Sequence, residues 1–454
     1  MNYDEAVDKI INTPRFAKNP GELNKSGNAN LLRIMEKLGN PHLSVPSIHI
    51  AGTNGKGSTC QFVKGILCAM GYSVGVFTSP HLLRINERIE VSYGSGKDCS
   101  EYISDDDFLL CYEKVSGAVC EHVKEGGIHL SFFEIMFAMA AVYFDMKKPD
   151  YVIYETGLGG RLDATNIINP VITAITSIGL DHTDYLGDTI EAVAGEKAGI
   201  IKKSIPVIYN TGSKTADIVI ENTASLLNAK AINVAKTDYI INEITHKTID
   251  FSVHNSYYKY QKLILPVTGA LYQIDNALTA IALCNELFLN ETGIEQEIIQ
   301  KGLDKFLWQG RMESIHPKVI LDGAHNLDAI ERFVESVQEI SGDKDIHLLF
   351  AVAGDKDYKP MIDTLCDKLR LGKVYITSIN SKRGISAEYI AKIFEENFSK
   401  EQNRTCTVLW DDDIKVMLKE AFDTVKNTDN TLFCVGSLYL IGSIKEIAKE
   451  VLYD

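Results

Sequence analysis

The segment Ala51–Ser58, AGTNGKGS, constrains the fold of this chain more than any other. An apolar strand candidate, Ser47–Ala51, runs into it, and Thr59–Met70 suits a helix that ends at Gly71. Glycines at such a junction let the backbone turn tightly and aim several N–H groups at phosphate oxygens. The helix N-terminus adds its dipole, and Lys56 supplies a mobile positive charge. Ser58 or Thr59 can place a hydroxyl near a phosphate-bound metal. The spacing departs from the usual GxxxxGK[ST] loop, because Gly57 separates Lys56 from Ser58 and Gly52 stands too close. The strand before and the helix after set it apart from an ordinary glycine turn.

The same alternation continues along the chain. Ser73–Phe77, Asp150–Tyr154 and Val171–Ile175 read as short strands, and Phe132–Phe144 and Thr189–Ala198 as helices. Strands alternating with helices predict an α/β domain with a mostly parallel sheet, whose ligands collect at the carboxyl ends of the strands. A second α/β pattern begins beyond Arg311, with strands at Val319–Leu321, Ile346–Val352 and Lys373–Thr377. The 454 residues, 45% of them hydrophobic, exceed what one core holds. We place the break near residue 300, giving domains 1–299 and 300–454, with Leu303–Gly310 as the boundary and Trp308 packed. Lys236–Leu265 alternates as hairpins at the edge of the first domain, and Gly94–Glu101 reads as a polar surface excursion.

A formal charge of −15 excludes a general nucleic-acid binder, since no basic face is available to neutralise a phosphate backbone. Lys and Arg inside the site must then reverse the potential for an anionic substrate. The opening MNYDEAVDKI is acidic and does not read as a secretory signal. Ser131–Phe144 is too short for a bilayer and carries Glu134, so a buried helix is expected and no membrane partner. Nine cysteines without a CxxC pair read as free core thiols of a cytoplasmic protein. We expect a monomer.

Several strand ends carry polar residues. Thr78–Arg88, TSPHLLRINER, follows Ser73–Phe77 and lies at the same sheet edge as the glycine loop. Ser79 can coordinate or orient magnesium, and Arg84 and Arg88 can face an anionic substrate. Glu155–Asn166, ETGLGGRLDATN, follows a strand, making Glu155 a hard-oxygen ligand for magnesium. Arg161 and Asp163 either hold that loop by an ion pair or contact substrate. A third strand end delivers Asp181-His182; the imidazole completes a magnesium shell, or binds manganese, or is a hydrogen-bonded core histidine. Lys197, in GEKAGI, reads first as a surface pair with Glu196.

Together these segments resemble the Mur-ligase superfamily and, within it, the folylpolyglutamate synthase/dihydrofolate synthase family. The resemblance is carried by GTNGKGST at Gly52–Thr59, SPHL at Ser79–Leu82, NERI at Asn86–Ile89, ETGLGGRLDATN at Glu155–Asn166, and DHTDYLG at Asp181–Gly187. It continues through EKAGI at Glu196–Ile200, QIDNA at Gln273–Ala277, WQGRME at Trp308–Glu313, DGAHN at Asp322–Asn326, GDKD at Gly354–Asp357 and GSLYL at Gly436–Leu440. It implies a P-loop ATPase domain of the Mur-ligase kind and a smaller Rossmann-like carboxy-terminal domain. It implies that Asn54, Gly55, Lys56, Gly57, Ser58 and Thr59 bind the triphosphate of ATP, and that Ser79, Glu155 and His182 bind Mg2+. Lys197 is then the lysine carbamylated in relatives. Asn276, Arg311 and Asp322 bind nucleotide across the domain cleft, and His325 lies near the transferring phosphate or the glutamate. A mobile substrate loop follows Ser79.

The resemblance further implies an ATP-dependent carboxylate–amine ligase that activates a reduced folate, or dihydropteroate, as an acyl phosphate and joins it to L-glutamate. A peptidoglycan Mur ligase normally carries a further amino-terminal substrate domain, for which the 51 residues before Gly52 leave little room. A generic P-loop ATPase explains Gly52–Ser58 but not the ordered motifs through Asp322.

Overall fold

The computed structural model describes residues 1–14, 28–94, 100–236, 238–245, 247–254, 259–266, 270–288, 293–306, 309–342, 344–379, 383–400 and 406–453. Trp308, His246 and the middle of the Gly94–Glu101 excursion lie outside them. The chain divides into two compact units. The first holds Met1–Ile240, Ser252–Leu263 and Asp275–Phe306; the second holds Ile241–Phe251, Ile264–Ile274 and Leu307–Asp454.

In the first unit, apolar runs become central strands because helices cover both of their faces. Every residue of β1 (Ser47–Ala51) and β2 (Val74–Phe77) is buried, as are all but the first of β5 (Tyr151–Glu155). With β3 (Ile89–Ser92), β4 (Ser100–Tyr102), β6 (Pro170–Ile175), β7 (Val207–Tyr209) and β8 (Ala231–Asn233), they form an eight-stranded sheet. Its order is β4-β3-β2-β5-β1-β6-β7-β8. The β2–β3 and β3–β4 pairs are antiparallel; the remaining pairs are parallel. Register pairs Phe77 with Tyr154, Ile50 with Glu155, and Ala51 with Ile175. Four neighbouring strands therefore stop at one carboxyl edge, where ligands collect in open α/β sheets.

Two packing features fix that edge. The helix Phe132–Lys147, buried along most of its length, supplies Phe137, whose ring lies 5.3 Å from Tyr154 and 6.2 Å from Phe77. Phe77 at the end of β2 and Tyr154 in β5 are thus locked two residues before Ser79 and one before Glu155. The helix Lys56–Ala69 stacks Phe62 on Phe306, centroids 3.9 Å apart, an arrangement worth about 1 kcal/mol beyond simple burial. This helix starts at Lys56, three residues before the expected Thr59, because Gly55 takes the left-handed φ of 83° and admits Gly57 and Ser58 to the first turn.

Strands β9 (Asp238–Ile244), β10 (Ile249–His254) and β11 (Lys259–Leu265) make a separate three-stranded sheet rather than an extension of the large one. The second unit carries a six-stranded sheet in the order β12-β13-β17-β14-β15-β16. These strands are β12 (Glu313–His316), β13 (Val319–Leu321), β14 (Ile346–Phe350), β15 (Leu371–Ile376), β16 (Thr407–Trp410) and β17 (Thr431–Val435). All its pairs are parallel except β12–β13. β17, last in the chain, is inserted between β13 and β14, so their carboxyl ends flank a point where strand order reverses.

No helix among the described residues is long and apolar enough to cross a membrane. The eight described cysteines are free; Cys120 is exposed and Cys406 half-buried, so not every thiol belongs to the core.

Candidate functional site

The glycine loop is held from the neighbouring strand end. Thr53 N–H donates to Ser177 O at 2.7 Å, Thr53 Oγ1 to Gly179 O at 3.0 Å, and Thr176 Oγ1 to Asn54 O at 2.6 Å. Gly52, at φ 154°, has no room for a side chain, since a Cβ would sit 1.8 Å from Thr176 Oγ1. At Gly55 a Cβ would meet the Asn276 side-chain oxygen at 2.2 Å, which places the Asn276 amide against the loop. The first-turn N–H groups of Lys56–Ala69 leave this loop at a helix end, the arrangement that binds phosphate. Lys56 Nζ donates to Gly52 O at 3.0 Å and Thr53 O at 3.1 Å, folded back over the loop. Ser58 and Thr59 are buried, and the Thr59 hydroxyl has no hydrogen-bond partner among the described residues.

At the adjoining strand ends, the buried Glu155 carboxylate accepts the Ser79 N–H at 2.8 Å. Ser79 and Glu155 together offer hard oxygens, the donors a magnesium ion takes when most of its shell is phosphate and water. Asp181 and His182 are not at the end of β6, contrary to expectation. The strand stops at Ile175, and the segment through Leu180 carries them outward. The His182 side chain is 41% exposed, which rules out the core-histidine alternative. It takes a left-handed φ of 52° at the start of the short helix Thr183–Leu186. Among the described residues no group of three or more His, Cys, Asp and Glu side chains converges as a ready metal shell. A cation here would therefore need Ser79 and substrate oxygens.

Lys197 is not in a surface pair. It lies in the last turn of the helix Ile190–Ala198, which Val193, Ala194 and Ala198 pack against Ile175 and Ile178. Its side chain is buried and donates to Gly52 O at 2.8 Å. Burial, aided by the charge of Lys56 and opposed by Asp181 and Asp163, pulls the ammonium down to about 7. Glu196 instead pairs with Arg161, Nε to Oε1 at 3.3 Å.

Asp163 holds its loop, but through backbone N–H groups rather than an ion pair. Its buried carboxylate accepts the N–H groups of Gly157 at 2.9 Å, Leu158 at 2.8 Å and Thr165 at 3.0 Å, bracing the glycine turn beyond Glu155. Burial raises this carboxyl above its ordinary range despite those donors. Arg84 and Arg88 are also engaged within the protein. Arg84 forms an ion pair with Asp105 at 2.8 Å, while the buried Arg88 donates to His81 Nδ1 at 2.9 Å and lies over the Phe132 ring. Glu87, which the sequence reading passed over, accepts the N–H groups of Leu82, Leu83 and Arg84. Its only sequence signal is a carboxylate three residues after Arg84, in capping position.

The second unit gathers its own polar residues at the carboxyl edge of β13, β17 and β14. Asp322 follows β13 and is buried; its Oδ2 accepts Tyr272 O–H at 2.8 Å and Met312 N–H at 3.0 Å, and its Oδ1 accepts Ala324 N–H at 2.8 Å. Burial raises the carboxyl, against the nearby Arg311 charge. Arg311 donates to Gly310 O at 3.2 Å, and its guanidinium closes over Gly323, where a Cβ would stand 2.4 Å from Nη1. The His325 ring meets Gly323 O through Nδ1 at 2.7 Å, and Asn326 caps the helix Leu327–Ser341. Arg383 joins two further strand ends, pairing with Asp355 at 2.8 Å and donating to the Tyr439 hydroxyl oxygen at 2.9 Å. Burial would raise the Asp355 carboxyl, but Arg383 outweighs it and holds it below the ordinary value.

Comparison with known proteins agrees with this arrangement. The profile described as Mur ligase middle domain matches residues 132–284, and that described as Mur ligase, glutamate ligase domain, matches residues 310–438. A Bacillus subtilis protein named dihydrofolate synthase/folylpolyglutamate synthase is 34% identical over 94% of this chain and 95% of its own length. Among solved structures, Mycobacterium tuberculosis folylpolyglutamate synthase complexed with ADP is 25% identical, covers 98% of each chain and superposes with a TM-score of 0.85. Escherichia coli FolC in complex with DHPP and ADP is also 25% identical, covers 99% of this chain and 98% of its own, and gives a TM-score of 0.82.

Proposed function

This chain belongs to the dihydrofolate synthase/folylpolyglutamate synthase family, and from that premise we propose that it is an ATP-dependent ligase adding L-glutamate to the γ-carboxylate of reduced folates. The observation that carries the reading is the convergence of the glycine loop, Lys56, Glu155, Ser79 and the buried Lys197 at one carboxyl edge. That edge is suited to stabilising charge on a transferring phosphoryl group.

The folate carboxylate attacks the γ-phosphate of ATP in line, forming an acyl phosphate and releasing ADP. N–H groups from Asn54 through Ser58 and the Thr59 hydroxyl hold the phosphate oxygens, and Lys56 swings from Gly52 O and Thr53 O to neutralise the charge that spreads over them. We assign Ser79, Glu155 and His182 as the residues that would hold Mg2+, which would supply charge neutralisation for the phosphates. The glutamate amine, arriving neutral, attacks the acyl carbon; the tetrahedral intermediate collapses to the amide and phosphate leaves.

Lys197 fits a second assignment. An amine held near neutrality at about 7 is available to attack carbon dioxide, losing a proton to become a carbamate. That converts a cation beside the metal site into an anion. The Lys197→Ala variant is expected to recover activity partly with a small added carboxylate. Full activity without it would make the residue scaffold.

The domain division at 1–299 and 300–454 assigns nucleotide to the first part and glutamate to the second. Asn276 and Arg311 contact nucleotide, His325 lies near the transferring phosphate or the glutamate, and Asp322 acts through the Arg311 and Gly323–His325 backbone it braces. The free thiols suit a cytoplasmic enzyme, and the chemistry asks nothing of a second copy.

A second activity, dihydropteroate to dihydrofolate, is favoured by the double name of the Bacillus subtilis relative and by the DHPP complex of the Escherichia coli one. The deciding experiment supplies ATP, magnesium and glutamate with either tetrahydrofolate or dihydropteroate, and measures ADP and the mass of the amide. ADP formation that requires neither acceptor nor glutamate would overturn the ligase reading.

A further inference from the structure

We propose that Glu87 is a positioning residue for the acceptor, acting as a clamp on the loop that follows Ser79. The inference rests on the ligase reading above and goes beyond it by naming the residue that shapes the substrate loop which the family resemblance places after Ser79. Along the sheet the order is β2, β5, β1. The phosphate loop leaves β1, and the metal-side carboxylate Glu155 leaves β5. The next segment outward is the loop after β2, which Ser79 N–H joins to Glu155 at 2.8 Å. An acceptor carboxylate must reach the terminal phosphate beside Glu155, so the rest of the acceptor extends over this loop. There Leu83 presents an apolar side chain that is 42% exposed, a surface suited to a flat aromatic ring system.

Three consecutive N–H groups of that loop are held by one side chain. Glu87 Oε2 accepts Leu82 N–H at 2.7 Å, and Oε1 accepts Leu83 N–H at 3.0 Å and Arg84 N–H at 2.7 Å. Three consecutive amides converging on one carboxylate is the backbone arrangement that otherwise binds a free anion. Here the chain supplies the anion itself, so the loop keeps its shape without a ligand. The amide of Gln keeps one acceptor oxygen and turns a donor toward the remaining N–H, whereas Ala removes the clamp.

The test compares Glu87→Ala and Glu87→Gln with the parent chain, using tetrahydrofolate as acceptor. The KM for tetrahydrofolate is expected to rise about tenfold in Glu87→Ala and less in Glu87→Gln, with kcat and the KM values for ATP and glutamate within about twofold. Hydrogen exchange at Leu82–Arg84 should quicken in Glu87→Gln even if Glu87→Ala fails to fold. An unchanged acceptor KM, equal loss across all three substrates, or unchanged exchange would each overturn the clamp. A parent chain that forms no ADP under these conditions would overturn the ligase reading and this role with it, a result distinguishable from the others.

Discussion

The two parallel sheets end in carboxyl edges built on different terms. At the first, three charged groups are buried and tied to backbone: Lys197 to Gly52, Glu155 to Ser79, Asp163 to the turn beyond Glu155. At the second, Asp322 has that character, while Arg383 and Asp355 meet with side chains 37% and 42% exposed. An edge that stabilises a transferring phosphoryl group needs fixed donors in a water-poor setting, where each is worth more than in water. Selecting an amino acid requires complementary charges but tolerates solvent. The difference teaches that preorganisation is concentrated where bonds change.

The comparison breaks most readily at Lys56. Lys56→Ala should lower kcat by about 10²–10³-fold, because its ammonium acts mainly on charge developing in the transition state. Near-normal turnover in a steady-state assay would remove the distinction between the edges. Next is Asp322→Ala, which leaves Tyr272 O–H and two backbone N–H groups without their acceptor. We expect a loss of about 3 kcal/mol of stability, read by urea unfolding of the full chain.

Lys197 gives a pH signature. Its folded value of about 7 lies below the roughly 10.4 of an unfolded lysine, so the unfolded chain holds more protons between those limits. The contribution of Lys197 to stability therefore rises as pH climbs from about 7 towards 10.4. Lys197→Met should flatten that slope in unfolding measured across the range; an unaltered slope would show that the lysine is not buried as an amine. The smallest effect is expected at the second edge. Arg383→Ala breaks a partly exposed ion pair and should cost less than about 1 kcal/mol. A loss of several kcal/mol would show that this edge is as preorganised as the first.

What the sequence disclosed follows the range of the forces involved. β1, β2 and β5 were legible because doubly covered strands must be apolar throughout, and the loops at their ends inherit their place from the parallel register. GEKAGI alone suggested a surface pair for Lys197, because it carries no sign that the last turn of its helix packs beneath Gly52; the family resemblance is what set the residue at the site. Asp163 and Glu87 do their work by collecting several N–H groups, which depends on loop dihedrals rather than residue spacing. The start of the phosphate-side helix was misplaced for a related reason: glycines read as loop, yet a left-handed Gly55 opens the helix at Lys56.

The central claim is that the acceptor carboxylate is activated by phosphoryl transfer at the first edge. It is tested most directly by labelling the acceptor's γ-carboxylate with heavy oxygen and following the label through a turnover with ATP and glutamate. The account predicts one labelled oxygen in the released phosphate and none in ADP. Label-free phosphate accompanying amide formation would contradict it.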